Sequence, residues 1–297
     1  MSARPTFDAG AIEAELRRIG PRFDPEVLKA TRELYRDGAA TSPWARRAAV
    51  YDLPYGEAGR QRLDIYPADD ANAPVLLFLH GGGFVGGDKR SDDVFYGNVG
   101  RYFAAHGFLA VLANYRLAPA SVWPSGNEDV AAIMDWIERH AAEHGGDATR
   151  VVLIGQSAGA GHVAGYLFDP RAGGRSNPSI RAAALMSGFF RAKRPILDGP
   201  RLYVGEDESA WGERSPAAHV DAEHPPLLLS IAELDPALIA DQTLDLAMAL
   251  NAVDGHPPEL LWFGGHNHVS TVHGLGLGED VVGRALRAFA EKHVQKT

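Results

Sequence analysis

The stretch Val151-Val152-Leu153-Ile154-Gly155-Gln156-Ser157-Ala158-Gly159 decides the fold. Its first four residues form a continuous apolar run, which is typical of a strand buried on both faces of a parallel sheet. The Gly-x-Ser-x-Gly pattern that follows is typical of a nucleophile elbow, where a strand turns sharply into a helix and presents the serine oxygen. The flanking glycines are needed because a side chain at either position would collide with the neighbouring strand or helix.

A glycine loop, His80-Gly81-Gly82-Gly83-Phe84, follows a second apolar run at residues 75–79. Glycines after a strand can point backbone N–H groups at an oxyanion, and such donors stabilise the charge that develops in acyl transfer. We expect the amides of Gly82, Gly83 and Ala158 to form this oxyanion hole. The two motifs in this order, each at the end of a strand, predict serine-based acyl transfer.

The composition excludes several classes of function. The 297 residues are 45% hydrophobic and 23% charged, as in ordinary globular domains, and carry a formal charge of −9 with scattered basic residues, which disfavours nucleic acid as a partner. The chain has no cysteine, so disulfides, a thiol nucleophile and cysteine-bound metals are excluded. Met1 to Gly10 lacks the features of a secretory signal, and no apolar run approaches the length of a membrane span. We therefore expect a cytoplasmic protein with no membrane partner.

The pattern of apolar runs predicts an α/β fold. Helical segments lie between the candidate strands, which indicates an open, mostly parallel sheet with a possible antiparallel start. The clearest helical segment begins with Ser125 and Glu128 at the spacing of a capping box. The candidate strands are residues 49–54, 62–66, 75–79, 108–113, 151–154, 182–187, 227–232 and 259–263.

Residues 1–45 differ from the catalytic domain that we predict for residues 46–297. Ile12, Leu16 and Ile19 recur at helical spacing, and Asp24-Pro25 is typical of the start of a second helix. Two amphipathic helices must cover apolar surface, which is either the flank of the domain or a pocket. Residues 188–225 lack a strong period and form a long excursion between two strands, as lids and binding loops often do.

The acid of a serine hydrolase should lie between the serine and the histidine in this fold. Asp235 follows the apolar run 227–231 and precedes Pro236, so it fits this place. A helix N-cap is the alternative role for Asp235, and Glu233 is its main rival as the acid. The order of Ser157, an acid and a downstream histidine favours Asp235 as the catalytic residue.

The base should follow the last strand, where the sequence reads Gly264-Gly265-His266-Asn267-His268. Both histidines can reach the carboxyl edge of the sheet. We choose His268, because it lies where a loop meets the start of a helix, and His266 remains the alternative. The predicted catalytic residues are thus Ser157, Asp235 and His268.

The chain resembles the hormone-sensitive-lipase-like esterase group of the α/β-hydrolases over roughly residues 50–293. This resemblance implies an eight-stranded sheet, a Ser–Asp–His triad and a cap built from N-terminal and inserted helices. The group usually has an acidic residue before the nucleophile, where this chain has Gln156. The matching stretches are His80–Phe84, Asn114-Tyr115-Arg116-Leu117-Ala118-Pro119, Gly155–Gly159, Ser215-Pro216 and Glu233-Leu234-Asp235-Pro236.

The chain is also similar to the arylformamidases and related small esterases. The features behind this similarity are Tyr55-Gly56, Arg62-Leu63-Asp64-Ile65-Tyr66 and Asn267-His268. It implies that the same triad could cleave an N-formyl aryl amide, since only the leaving group changes.

The sequence as a whole predicts a carboxylic-ester hydrolase that acts on small acyl or aryl esters and requires no metal or organic cofactor. The alternatives are an amidase of the arylformamidase kind and a non-catalytic ligand-binding protein on the same scaffold. The oligomeric state is left open, a homodimer included. Candidate walls of an apolar acyl pocket are Phe84, Trp123, Phe189 and Trp211.

Overall fold

The apolar runs of the sequence form the strands of a single sheet. The computed structural model describes residues 8–295, so the first seven residues of the predicted N-terminal segment and the last two of the chain lie outside it. Each of the eight predicted strands is present within that range. Their bounds are Val50–Pro54 (β1), Arg62–Tyr66 (β2), Ala73–Leu79 (β3), Leu109–Ala113 (β4), Gly146–Gln156 (β5), Ile180–Met186 (β6), Leu227–Leu234 (β7) and Glu259–Asn267 (β8).

The sheet has the order β1-β2-β4-β3-β5-β6-β7-β8. β2 pairs antiparallel with both β1 and β4, and all later pairs are parallel, so the predicted antiparallel start is confirmed. The carboxyl ends of β3, β5, β7 and β8 therefore meet at one edge of the sheet. Parallel α/β sheets bind ligands outside this edge, and the motifs found in the sequence all lie there.

Helices cover both faces of the sheet. Their bounds are Ala9–Ile19 (α1), Pro25–Thr41 (α2), Gly97–Ala105 (α3), Ser125–His140 (α4), Ala158–Phe168 (α5), Asp198–Val204 (α6), Ala237–Asp254 (α7), Ser270–His273 (α8) and Val281–His293 (α9). α4, α5 and α7 pack on one face, and α3 and α9 pack on the other. None of the helices between residues 8 and 295 is long and apolar enough to cross a membrane.

The core consists of two apolar layers, one on each face of the sheet. Along β3, Val75, Leu77 and Leu79 point into one layer, whereas Leu76 and Phe78 point into the other. All five are at most 1% exposed, which explains why the strand reads as an unbroken apolar run.

The helix starts test two local predictions. Asp24 caps α2, because its carboxylate accepts a hydrogen bond from the Val27 amide at 2.9 Å, as the sequence predicts. The prediction of a capping box at Ser125 is wrong. A turn, closed by the Ser125 amide and the Val122 carbonyl, brings the chain into α4 one residue earlier, so Ser125 lies inside the helix and its hydroxyl does not cap it.

The N-terminal helices lie over the carboxyl edge of the sheet. α1 packs beside β8, and α2 packs beside α8. Arg17 of α1 forms an ion pair with Glu233 of β7 at 2.6 Å, and Thr31 of α2 accepts a hydrogen bond from the Asn267 side chain at 2.8 Å. Residues 188–225 form a second excursion at the same edge, which contains α6 and two short 3₁₀ turns.

Candidate active site

The elbow holds Ser157 in a strained backbone conformation. β5 ends at Gln156 and α5 begins at Ala158, so Ser157 is the one residue between them. Its φ of 56° lies in the left-handed region, which a residue with a side chain adopts only when its surroundings hold it there. The Ser157 amide donates to the Met186 carbonyl of β6 at 2.9 Å, and this bond to the next strand fixes the turn.

The glycines on either side of Ser157 leave no room for a side chain. A Cβ atom on Gly155 would lie 2.5 Å from the Ala160 Cα atom of α5, and one on Gly159 would lie 2.2 Å from the Leu79 carbonyl oxygen of β3. Strand and helix thus approach so closely that larger residues would push them apart. This agrees with the steric reason given for the motif.

Ser157, His268 and Asp235 form one hydrogen-bonded series. His268 Nδ1 lies 2.7 Å from Asp235 Oδ1, and His268 Nε2 lies 2.9 Å from Ser157 Oγ. The carboxylate selects the tautomer in which Nδ1 carries the proton, so Nε2 is free to accept the serine proton. His268 and Asp235 are 2% and 6% exposed, which screens their contact from water.

Asp235 is held by two further donors. Its second oxygen, Oδ2, accepts from the Ser187 hydroxyl at 2.7 Å and from the Ala232 amide at 2.8 Å. It does not cap α7, which begins at Ala237 without a side-chain cap. Its rival Glu233 bonds elsewhere, to Arg17 at 2.6 Å and to the Gly265 amide at 2.7 Å.

His268 is oriented by contacts to its backbone and its ring. The Gln156 side-chain amide donates to the His268 carbonyl at 2.9 Å, so the residue that replaces the usual acid connects the elbow to the histidine loop. The ring of Phe23, between α1 and α2, meets the imidazole edge to face with centroids 4.8 Å apart. His266 lies on a different side, where its Nδ1 contacts the Ser270 hydroxyl at 3.0 Å.

The glycine loop runs against Ser157 with free amides. A Cβ atom on Gly81 would lie 3.1 Å from Ser157 Cβ, and Gly82, Gly83 and Phe84 all have φ in the left-handed region, at 144°, 59° and 67°. Within residues 8–295, neither the Gly82 amide nor the Gly83 amide donates to any protein oxygen. Two adjacent unpaired amides beside a serine are available to an oxyanion.

A buried polar network holds this loop in place. His80 Nδ1 lies 2.6 Å from the Gly81 carbonyl, and its Nε2 lies 3.0 Å from Asn114 Oδ1. The Tyr115 hydroxyl donates to the His80 carbonyl at 2.8 Å. Burial lowers the pKa of His80 to about 4, and because both ring nitrogens contact oxygen atoms of the scaffold, the ring acts as a support. The motif that begins at Asn114 is thus part of the scaffold of the glycine loop.

Two cavities flank Ser157. The apolar cavity has a volume of about 50 Å³. It lies beside Ser157, Gly83 and Ala158, and the other residues of its wall include Phe23, Phe84, Phe189, Ile196, Leu238 and Ile239. The second cavity has a volume of about 200 Å³ and lies beside Ser157 and His268. We call it the polar cavity because Arg32, Ser91 and His273 belong to its wall, which also includes Phe23, Leu28 and Tyr96. In the part of the chain that the structure describes, no cluster of three or more His, Asp or Glu side chains could hold a metal ion.

The predicted pocket walls divide into two pairs. Phe84 and Phe189 line the apolar cavity beside Ser157. Trp123 lines a third cavity together with Phe84 and Phe189, and Trp211 is not among the described residues that line any of the three. The Trp211 indole donates to the Gly205 carbonyl at 2.8 Å inside the excursion, and Trp123 lies under Arg171 at 4.8 Å.

Sequence reasoning missed three residues at this site. Ser187, which binds Asp235, follows β6 without any motif. Phe23 and Arg32 belong to the N-terminal segment, and their long distance in sequence from Ser157 hides their contact with its cavities. The only signal for them was the need of two amphipathic helices to cover something.

The comparison with protein families finds similarity in the part that carries both glycine motifs. Residues 63–167 match the family model described as BD-FAE. The chain is 32% identical to esterase LipI of Mycobacterium tuberculosis over 273 residues, which cover 83% of this chain and 81% of LipI. It is 28% identical to the probable carboxylic ester hydrolase LipM of the same organism over 69% of this chain, and it spans about half (52%) of the length of LipM.

Solved structures share the whole architecture. A hyperthermophilic esterase from Pyrobaculum calidifontis superposes with a TM-score of 0.73 at 21% identity, over 97% of this chain and 99% of that one. A carboxylesterase cloned from a metagenomic library superposes with a TM-score of 0.71 at 23% identity, over 96% of this chain and 98% of that one. At these identities the likeness establishes the fold.

Proposed function

We propose that this chain, which belongs to the hormone-sensitive-lipase-like esterase group of the α/β-hydrolases, hydrolyses carboxylic esters of small acyl or aryl groups with Ser157 as its nucleophile. The observation that carries the proposal is the series from Ser157 Oγ to His268 to Asp235, with contacts of 2.9 and 2.7 Å. The α/β-hydrolase fold that the sequence predicts is confirmed. Relatives named as esterases support ester chemistry, and the geometry supports the residue roles.

In the first half of the reaction, His268 accepts the Ser157 proton while the serine oxygen attacks the ester carbonyl carbon. Asp235 stabilises the imidazolium that forms, because its carboxylate lies 2.7 Å from Nδ1. Collapse of the tetrahedral intermediate breaks the bond to the alcohol oxygen, and His268 gives its proton to that oxygen. The products of this half are the free alcohol and an acyl group on Ser157.

The amides of Gly82, Gly83 and Ala158 stabilise the oxyanion. Their backbone is fixed before substrate arrives, because the His80 and Asn114 contacts hold the loop. Preorganised donors need not reorient during the reaction, and loss of a single one costs about 3–4 kcal/mol of activation free energy in serine hydrolases.

In the second half, His268 activates a water molecule that attacks the acyl-enzyme, and the acid leaves. The apolar cavity suits the acyl group, since Phe84 and Phe189 line it beside Gly83 and Ala158. Its volume of about 50 Å³ favours short acyl chains. No metal or organic cofactor takes part in this scheme.

We also propose that residues 1–45 and the excursion at residues 188–225 together form a cap over the site. For the first segment the support comes from its described part, residues 8–45, where Phe23 lines both cavities. For the second it is the segment from Pro195 to Pro200, which contributes to the apolar cavity. A cap of this kind excludes water and limits the size of the acyl group.

The decisive experiment compares hydrolysis of 4-nitrophenyl acetate by the wild type and by Ser157→Ala. We expect kcat/KM of the variant to be lower by at least about 10⁴-fold, because the nucleophile is lost. A fluorophosphonate should label the wild type and not the variant. Activity that survives the substitution contradicts the role of Ser157, and a wild type that neither reacts nor becomes labelled supports the non-catalytic alternative.

The two neighbouring histidines provide a matched pair for the base. We expect His268→Gln to lower kcat/KM by about 10⁴-fold or more, since proton transfer from Ser157 is lost. His266→Gln removes a ring that contacts Ser270 and should keep activity within about threefold, because Ser157 does not touch it. The reverse result would exchange their roles.

The features behind the arylformamidase alternative support the scaffold. The Tyr55 hydroxyl donates to the Asn114 carbonyl at 2.6 Å, and Asn267 bonds to Thr31 and to the Ser270 amide. None of these contacts involves the reacting atoms, so no specific observation favours a formamide over an ester. Turnover of N-formylaniline faster than that of 4-nitrophenyl acetate would revive this alternative.

A further inference from the structure

Arg32 is an unpaired cation in the polar cavity beside Ser157. It belongs to α2 and is partly buried. Between residues 8 and 295 no carboxylate forms an ion pair with it and no acceptor binds its guanidinium, and its Nε atom is buried without a partner. Arg36, one turn further along α2, is by contrast paired with Asp92 at 3.0 Å. The Nη atoms of Arg32 are not among the buried unpartnered atoms, so they are open to a ligand in the cavity.

The lining of the polar cavity contains no negative charge. Of its described residues, none is Asp or Glu, and Arg32 carries the formal positive charge. His273 adds no second cation, because burial lowers its pKa to about 3. The cavity therefore attracts an anion.

Two further buried polar atoms of this lining lack partners. They are His273 Nδ1 and Gln156 Oε1, which join Arg32 Nε among the unsatisfied groups. Buried polar atoms without partners are rare in folded proteins, and these three belong to side chains that line one cavity. The volume of about 200 Å³ holds more than a single water, which needs about 10–15 Å³.

The proton path decides which part of an ester enters this cavity. In the proposed reaction, His268 gives its proton to the leaving alcohol oxygen, so the alcohol lies on the His268 side of Ser157. His268 lines the polar cavity and is absent from the described lining of the apolar one. The leaving group thus enters the polar cavity, and the acyl group enters the apolar one.

We propose that this site is specific for esters whose alcohol part carries a carboxylate, with Arg32 as the residue that binds it. The inference rests on the proposed ester hydrolysis. An acyloxy acid R–CO–O–R′–COO⁻ acylates Ser157 through its ester carbonyl, the C–O bond to R′ breaks, and His268 protonates the oxygen that leaves. The hydroxy acid HO–R′–COO⁻ departs, and water then releases R–COOH. The carboxylate bound to Arg32 is unchanged throughout.

The test uses pairs of acetyl esters that differ only in charge. Acetoxyacetate, 4-acetoxybutyrate and 4-acetoxybenzoate are each compared with the corresponding primary amide, for the wild type and for Arg32→Met. For at least one pair, we expect the acid-to-amide ratio of kcat/KM to fall by about 10- to 100-fold in the variant, the range expected for a charge-assisted hydrogen bond. Because the amides carry no charge, their kcat/KM is the reference within each variant, and a general loss of activity cancels from the ratio.

Control variants separate this subsite from general electrostatics. Lys29→Met removes the same charge from an exposed position of α2 and should leave every ratio unchanged. Arg32→Lys keeps the charge without the planar fork and should restore part of the ratio. An acid-to-amide ratio that Arg32→Met leaves unchanged for all three pairs overturns the proposal.

A final pair tests the direction of binding. Monomethyl succinate carries its carboxylate on the acyl side, and methyl succinamate is its neutral counterpart. A dependence on Arg32 that appears for this pair and not for the acetoxy acids would overturn the assignment to the alcohol side. If the wild type failed to cleave the ester bond even in the neutral substrates, which carry an amide in place of the carboxylate, ester hydrolysis itself would be contradicted. The two failures are therefore distinguishable.

Discussion

The two rival residues, Glu233 and His266, lie inside strands, whereas Asp235 and His268 are the first residues beyond them. β7 runs to Leu234 and β8 runs to Asn267, so each strand is longer than the apolar run that predicted it, which ended near residues 232 and 263. The polar ends of strands carry no apolar signal, and the sequence alone could therefore not separate the members of each pair. The structure separates them by their hydrogen bonds.

Substitution of the two acids, Asp235 and Glu233, tests which of them supports His268. Asp235→Asn should lower kcat by about 10⁴-fold, because an amide at this position no longer selects the Nδ1–H tautomer of His268. Glu233→Gln should stay within about threefold of the wild type, since Glu233 pairs with Arg17 at the surface. The measurement is kcat for 4-nitrophenyl acetate, and an equal loss in both variants would remove the distinction.

The N-terminal helices show what an amphipathic pattern can and cannot predict. The spacing of Ile12, Leu16 and Ile19 and the Asp24 cap predicted both helices correctly. Their destination could not be predicted, because an apolar face indicates only that something is covered. In the structure α2 approaches the histidine loop, where the Thr31 hydroxyl accepts a hydrogen bond from the Asn267 side chain at 2.8 Å.

The bond between Thr31 and Asn267 can be tested with two threonines of α2. Thr31→Val keeps the shape and leaves the buried Asn267 amide without its acceptor, so we expect the free energy of unfolding to fall by about 1–3 kcal/mol. Thr41→Val, at the exposed end of the helix, should change it by less than about 0.5 kcal/mol. Urea unfolding measures both, and equal changes would show that the bond does not stabilise the loop.

At the scale of the whole molecule, the sheet was predictable and its buried polar contents were not. Continuous apolar runs marked strands covered on both faces, and their alternation with helices indicated parallel pairing. Nothing in the sequence indicated that the fold would bury His162. His80, His162 and His273 all lie deep among aromatic rings, and burial lowers the pKa of each to between about 3 and 4.

These buried histidines should make the stability of the fold depend on pH. Unfolded histidine has a pKa of about 6.5, so above that pH the ring is neutral in both states and contributes no pH dependence. Below about pH 6.5 these histidines bind protons in the unfolded chain but stay neutral in the folded chain. The free energy of unfolding should therefore fall from about pH 6.5 down to about pH 4, by ~1.4 kcal/mol per pH unit for each such ring.

His162 allows the contribution of a single buried histidine to this pH dependence to be measured. Neither of its ring nitrogens has a partner within residues 8–295, and its ring lies 4.3 Å from that of Tyr115 and 5.0 Å from that of Phe84. His162→Leu should reduce the slope of the free energy of unfolding between about pH 6 and pH 4 by ~1.4 kcal/mol per pH unit, as measured by urea unfolding. His256→Gln, at an exposed position, should leave that slope as in the wild type. If both variants keep the wild-type slope, His162 takes up its proton in the folded protein, and burial does not keep the ring neutral.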